Sequence, residues 1–456
     1  MQLSSYKNIY MIGIGGVSMS GIASILKKWG YCVSGSDGVS SVNTDKLINS
    51  GFKINIGHKE ENITDDIDLV VYSAAIKREN PELSKALEKG IPTIERGAFL
   101  GELTKLFKNT IGIAGTHGKT STTSMVASCF IEDKKDPTIQ VGAYLDIIDG
   151  NYIVGNSNYF IIEACEYCNS FLAFDQKSAI VLNIDNDHLD FFGNIENIEK
   201  SFQTYVSKLP DDGILVVNND DFRCAQLKSY THAKTISVAI DNNADYIARN
   251  IIFDNDGCAS FDVYKGSSLV NNFKLSVSGL HNVRNALACI ALCLEYNLNI
   301  DSIKNGLLKY KGASRRMEYK GVVNNAKVYD DYGHHPTEVL ATAKAISQKE
   351  YNELWVVWEC HTFSRFKEHI NSFADSLMLF DHIIVTDIYA ARETNTFDVN
   401  PSQIVDILKV NNKDAIYISD YNEIVDYLKH KVNDNDIVLT LGAGNVTKIS
   451  DLLVKK

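Results

Sequence analysis

Residues 110–130 read TIGIAGTHGKTSTTSMVASCF, and this stretch decides the fold class. Thr110–Ala114 is a short apolar run of the kind that forms a buried strand. It breaks at two closely spaced glycines, Gly115 and Gly118, and helical spacing then runs from Lys119 to Phe130. Strand, glycine turn and helix in that order make a phosphate-binding unit. The glycines bare backbone N–H groups, Lys119 is placed to set its ammonium between β- and γ-phosphates, and Thr120 offers a hydroxyl to Mg²⁺. Thr116 and Ser121 flank these groups, and the positive end of the helix favours the same anion. Ile113 stands where the general phosphate loop has its first glycine, so the loop is a shortened GTxGKT variant.

Downstream, Tyr159–Ile162 reads as a strand closed by Glu163, with Glu166 following. Ser178–Ile184 reads as another strand and leads into NIDNDHLD, residues 183–190, which offers Asp187, His188 and Asp190. A triphosphate site needs such groups for Mg²⁺. By its chemistry alone His188 is either a second magnesium ligand or a hydrogen-bonding residue at a strand end. Residues 211–277 are poor in helix signals and read as a β-rich insertion, and Asn282–Cys293 reads as a helix.

Upstream, Asn8–Ile14 reads as a strand, Val17–Trp29 as a helix, and Tyr31–Ser36 and Asp68–Tyr72 as further strands. Between the first two lies GIGGVSMSG, residues 13–21, a glycine turn suited to a diphosphate. Gly15, Gly16 and Ser18 are its candidate contacts, with Asp37 at the end of the next strand and Ser73 after a later one. Ser18 occupies the last glycine position of the dinucleotide fingerprint, so the turn does not decide between a dinucleotide and a UDP-sugar. A dehydrogenase would explain this turn but leave GTHGKT idle.

The C-terminal third carries three polar clusters: GASRRME at 312–318, DDYGHHPTE at 330–338 and ECHTFSR at 359–365. Each lies beside a strand or turn signal, the strands being Lys327–Tyr329, Leu354–Trp358, His382–Thr386 and Ile437–Leu441. Arg316 suits a γ-phosphate and Arg365 a substrate carboxylate held by a bidentate fork. A nucleotide-gated binding protein would need neither the first glycine turn nor this His/Arg cluster.

Charge and cysteines narrow the class further. The formal net charge is −12, which excludes a protein held on nucleic acid by bulk charge. The run from Ile9 to Gly16 is too short and glycine-rich for a signal peptide or membrane span. Nine dispersed cysteines read as reduced cytoplasmic thiols. Cys165 and Cys168 form a CxxC with no second pair to complete a zinc set.

Together these motifs resemble the Mur ligase family over essentially the whole chain. The carriers are GTHGKT at 115–120, Glu163, NIDNDHLD at 183–190 and HNVRNALA at 281–288. The alanine-adding branch is indicated by GIGGVSMSG, RRME at 315–318, DDYGHHPTE and DIYAARE at 387–393. The resemblance implies an α/β chain of three domains: a Rossmann-like UDP-sugar-binding domain over 1–100, a central ATP-binding domain of phosphate-loop type over 101–311, and a Rossmann-like closing domain over 312–456.

It also implies a reaction, ATP-dependent joining of L-alanine to the lactyl carboxylate of UDP-N-acetylmuramate through an acyl phosphate. The runner-up within the family attaches a recycled tripeptide to the same sugar nucleotide. By the same resemblance Glu163 and His188 hold magnesium, Asn285 and Arg316 contact ATP, and Asp331 meets its ribose. Tyr332, His334, His361 and Arg365 line the L-alanine end, and Arg96 and His117 face the UDP-sugar. The expected protein is a cytoplasmic monomer or weak homodimer, with no nucleic-acid partner and no membrane insertion. Three segments depart from the family pattern: Glu359-Cys360 replaces Gln-Pro before His361, Asn445 replaces the Asp of GAGD, and EACEYCN at 163–169 replaces an EADES-type run.

Overall fold

The structure is a computed structural model describing residues 3–391 and 393–455. Arg392, within DIYAARE, and the side chain of Asp190 lie outside the described part. The chain divides into two compact units. The first comprises residues 1–247, 264–269 and 284–309, the second 248–263, 270–283 and 310–456.

The N-terminal sheet holds β1 (Asn8–Ile12), β2 (Cys32–Asp37), β3 (Lys53–Ile56), β4 (Leu69–Tyr72) and β5 (Thr93–Glu95) in the order β3-β2-β1-β4-β5. All its pairings are parallel. Ile9 to Ile12 are all buried, as a strand covered on both faces requires. The chain winds outward from β1 to β3 and then returns to β4 on the other side. That places a topological switch point between the carboxyl ends of β1 and β4, where open α/β sheets bind ligands.

The second sheet has ten strands: β6 (Asn109–Ala114), β7 (Thr138–Leu145), β8 (Gly150–Ile153), β9 (Tyr159–Glu163), β10 (Ser178–Val181), β11 (Ile214–Asn218), β12 (Lys234–Ala239), β13 (Tyr246–Phe253), β14 (Cys258–Lys265) and β15 (Ser268–Ser278). Their order is β15-β14-β13-β12-β11-β10-β6-β9-β7-β8. The strand before the phosphate loop, β6, lies between β9 and β10 and runs parallel to both. The run at 178–184 keeps strand form only to Val181. Beyond it the backbone still serves the loop, since Leu182 N–H donates to Ala114 O and Thr116 N–H donates to Asn183 O, each at 3.1 Å.

The helix after the loop, Lys119–Glu132, packs against the helix Ile300–Lys309. Their close approach depends on Gly306, where a Cβ would fall 2.6 Å from Cys129 Cα. Gly306→Ala should therefore force the two helices apart and destabilise the protein by roughly 1–3 kcal/mol. A denaturation midpoint unchanged from wild type would contradict this packing.

The third sheet holds β16 (Glu318–Val323), β17 (Ala326–Asp331), β18 (Leu354–Trp358), β19 (His382–Val385), β20 (Asp414–Tyr417) and β21 (Ile437–Leu441), in the order β16-β17-β21-β18-β19-β20. It is parallel except for the β16–β17 hairpin. That hairpin turns on Asn324 and Asn325, both at positive φ, the residue type such a turn favours. Asp331, Leu441, Trp358 and Val385 lie in register across four strands. Tyr332, Gly442, Glu359 and Thr386 therefore emerge along one carboxyl edge.

Two boundaries differ from the sequence reading. The helix Arg96–Thr104 runs across the division drawn after residue 100. Residues 248–263 and 270–283, assigned from sequence to the central domain, group with the C-terminal segment, where Lys349 Nζ donates to Asp256 O at 2.6 Å. Among the described residues no helix is long and apolar enough to cross a membrane.

Candidate functional site

The first glycine turn sits at the N-terminal switch point. Gly13, at φ +80°, abuts Ser73, because a Cβ on it would come 3.1 Å from Ser73 Cβ. Gly15 N–H donates to Asp37 Oδ2 at 2.9 Å, so Asp37 pins the turn itself. Gly16 precedes the helix Val17–Lys28 at its N-cap. Ser18 Oγ accepts from Gln140 Nε2 at 2.6 Å and lies 3.5 Å from Arg96 Nη1.

From Ser18 and Arg96 a cavity of about 210 Å³ runs along Gln140 and Gly142 to Glu163 and Cys165. One end is thus the start of the helix after the first glycine turn and the other the acid that closes β9. His117 is not among its walls. Its Nε2 lies 3.1 Å from Asp185 Oδ2, and its backbone is bracketed by Asn183.

At the phosphate loop Gly115 and Gly118 take φ +138° and +84°, which other residues adopt only under strain. A Cβ on Gly118 would fall 2.7 Å from Asn285 Oδ1, so the helix Leu280–Glu295 brings Asn285 directly against the loop. Lys119 Nζ donates to Gly115 O and Thr116 O at 2.6 and 2.9 Å, and lies 3.1 and 3.0 Å from the two oxygens of Glu166. Burial opposes its charge, but Glu166, Cys165 and Glu163 outweigh that and hold its pKa above the ordinary lysine value. Thr120 and Ser121 follow in the first helical turn, half-buried.

Glu166 is the residue the sequence left without a role. It is buried, its Oε2 is held by the ion pair with Lys119, and its Oε1 lies 3.9 Å from His188 Nε2. His188 itself sits at φ +56°, as the N-cap of Leu189–Phe192, with its ring 4.7 Å from that of Tyr167. Glu163 Oε1 accepts from Gly142 N–H at 2.6 Å. The spacing of EACE marked an acid after Glu163, but no periodicity shows which of two acids turns toward a lysine.

The second unit gathers another polar group along its carboxyl edge. Arg315, at φ +59°, is tied inward: Nε donates to Asp330 Oδ2 at 3.1 Å and Nη2 to Gly442 O at 2.6 Å. Both guanidinium groups lie over the Tyr332 ring, Arg315 at 4.8 Å and Arg316 at 5.4 Å, and Arg316 is 3.6 Å from Glu338 Oε1. His334 stands 5.4 Å from Tyr332 and 5.6 Å from His361, ring to ring, and His361 Nδ1 is 3.2 Å from Arg365 Nη1. Arg365 projects from the first turn of Phe363–Leu377, which Thr362 caps at φ +73°.

Asp331, expected at a ribose, lies at the end of β17. It is 4% exposed, and its oxygens accept from Met317 N–H, Gly333 N–H and Thr342 Oγ1 at 2.8, 2.8 and 3.0 Å. Burial raises its pKa against the pull of Arg316. These bonds tie it to the loops that carry Arg316 and Tyr332.

The Glu359 departure is also structural. Its carboxylate is buried, accepts from Tyr421 Oη at 2.5 Å and Val446 N–H at 3.3 Å, and crowds Gly444, where a Cβ would meet Oε1 at 2.2 Å. Burial raises its pKa above the ordinary value. Such a carboxyl costs no stability below its unfolded-state pKa and a growing penalty as pH rises toward its folded-state value. Glu359→Gln should therefore raise the unfolding temperature more at pH 8 than at pH 5. An equal or reversed change would contradict the buried-charge account.

Three family models match the chain: the Mur ligase family catalytic domain over residues 8–108, the Mur ligase middle domain over 113–293, and the Mur ligase glutamate ligase domain over 315–444. The UDP-N-acetylmuramate–L-alanine ligase of Clostridium acetobutylicum is 46% identical over 450 residues, covering 99% of this chain and 98% of that protein. The same-named protein of Acetivibrio thermocellus is 44% identical over 453 residues, covering 99% and 96%. Among solved structures, the UDP-N-acetylmuramate–alanine ligase of Thermotoga maritima superposes with a TM-score of 0.83 at 27% identity, covering 98% of both chains. A murein peptide ligase from Psychrobacter arcticus gives 0.70 at 26% identity, again covering 98% of both.

Proposed function

The chain belongs to the Mur ligase family, and from that premise we infer that it is the ligase that adds L-alanine to UDP-N-acetylmuramate, consuming ATP, in peptidoglycan synthesis. The observation that carries this reading is the cavity joining the diphosphate turn at Ser18 and Arg96 to Glu163, beside the Lys119 loop. A sugar nucleotide held at the first end points its acyl group toward a phosphate-binding loop.

The chemistry follows from the groups present. A substrate carboxylate oxygen forms a bond to the γ-phosphorus of ATP as the bond to ADP breaks. The amine of L-alanine then attacks the acyl carbon, phosphate leaves, and the amine proton passes to a base. Gly115, Thr116, Gly118, Thr120 and Ser121 cradle the phosphates, with Asn285 against the loop. Lys119 and Arg316 stabilise charge that spreads over the transferring phosphoryl group.

Thr120, Glu163 and His188 would hold magnesium, which neutralises phosphate charge. The hydroxyl, carboxylate and imidazole donors, with the buried Glu166 carboxylate 3.9 Å from His188, suit such an ion. Arg96 and Ser18 hold the sugar nucleotide, with Gly15, Gly16 and Ser73 at its diphosphate and Asp37 fixing the turn. Arg365 and His361 take the L-alanine carboxylate, with Tyr332 and His334 beside them. His334 and His188 are the imidazoles available to the amine proton. Asp331 meets the ATP ribose and, through Met317 and Gly333 N–H, holds the loops of Arg316 and Tyr332. We place the reaction in the cytoplasm, where ATP is supplied and the nine free thiols stay reduced.

A phosphate-release assay over a panel of amino acids tests the reading. Release is expected only with ATP, UDP-N-acetylmuramate and an amino acid together, and fastest with L-alanine. Release driven by a tripeptide and not by L-alanine would favour the peptide-attaching relative.

A further inference from the structure

Behind the phosphate loop lies a cluster that the ligase reaction does not use. Cys129 is on the loop's own helix, and Cys289 and Cys293 are one turn apart on the helix that carries Asn285. All three are fully buried. Their sulfurs are 3.8 Å apart for Cys129–Cys289 and 3.9 Å for Cys289–Cys293, and all three lie within 4.8 Å of one another. We propose that Cys129, Cys289 and Cys293 form a structural site for a thiophilic divalent cation of the zinc class.

The geometry carries the assignment. A point equidistant from the three sulfurs lies roughly 2.2–2.5 Å from each, bracketing a zinc–thiolate bond of about 2.3 Å. Residues at i and i+4 on one helix chelate from one side, the arrangement used by helical metal sites, and the opposing helix supplies the third ligand. The Ile303 carbonyl oxygen, 3.5 Å from Cys129 Sγ, is placed to be a fourth donor.

Binding breaks three S–H bonds, forms three metal–sulfur bonds and releases three protons to solvent, with no electron transferred. A divalent ion leaves one net negative charge in the interior where a monovalent ion would leave two, so burial favours the divalent one. The consequence is mechanical. One ion would tie the helix that begins at Lys119 to the helix that brings Asn285 against Gly118.

The test uses the full-length protein, reduced and metal-free, titrated with Cd²⁺ and followed by cadmium–thiolate charge-transfer absorption. Wild type should bind one equivalent more than Cys289→Ala or Cys293→Ser. One equivalent should raise the unfolding temperature of the wild type but not of Cys293→Ser. Cadmium-edge X-ray absorption on the wild type, at substoichiometric cadmium, should count three sulfur neighbours, and this readout decides even where a variant fails to fold. Equal cadmium binding by wild type and folded variants would overturn the proposal. So would a count of two sulfurs, which is what the exposed Cys165 and Cys168 pair would supply.

Discussion

Lys119→Ala is expected to abolish ligation, with a loss of at least about 10²–10³ in rate, the scale for removing one preorganised stabilising charge. The structure adds a second effect. Lys119 is the cation paired with buried Glu166, so the single variant strands a carboxylate in the interior. Breaking a buried pair from one side costs about 3–5 kcal/mol, and the variant should also unfold at lower denaturant. Lys119→Ala combined with Glu166→Gln removes the stranded charge and should recover much of that stability while staying inactive. The two readouts separate a catalytic lysine from a merely structural one. Ligation near the wild-type rate in the stabilised double variant would refute the phosphate-loop assignment.

His188→Asn should lower ligation by more than tenfold and raise the Mg²⁺ concentration needed for half-maximal rate. Asn is the informative replacement because His188 sits at φ +56°, a conformation Asn tolerates and Ala does not. The imidazole is 3.9 Å from Glu166 Oε1 and lies tilted against the Tyr167 ring, so its removal also tests whether this face holds a cation. A loss below tenfold with unchanged Mg²⁺ dependence would return His188 to a packing residue at a strand end. A parallel loss of stability would not by itself distinguish the two, which is why the magnesium titration is the deciding readout.

The legible part of this protein was the part written in local pattern. Leu354–Trp358 and Ile437–Leu441 are continuous apolar runs, and both are strands with the bounds the sequence implied. The helix after GTHGKT was equally plain, because its glycines, lysine and apolar spacing coincide. Orientation was not legible. Arg315 and Arg316 are neighbours in sequence and both lie over Tyr332, yet Arg315 donates to Asp330 and Gly442 while Arg316 lies beside Glu338. The family resemblance assigned Asp331 a ribose contact, and local pattern says nothing of how its carboxylate is held. Its inward commitment depends on Met317 and Thr342, which no spacing connects to it. The pairing of Lys119 with Glu166 spans 47 residues and is fixed by the parallel neighbours β6 and β9.

The central claim is that a carboxylate of UDP-N-acetylmuramate is activated by ATP and captured by L-alanine. The direct measurement is mass spectrometry of the products formed from substrate carrying ¹⁸O in its lactyl carboxylate. The account predicts a sugar nucleotide heavier by one alanyl residue and inorganic phosphate carrying one ¹⁸O, because the attacking carboxylate oxygen leaves with the phosphate. Alanylated product accompanied by unlabelled phosphate would contradict it.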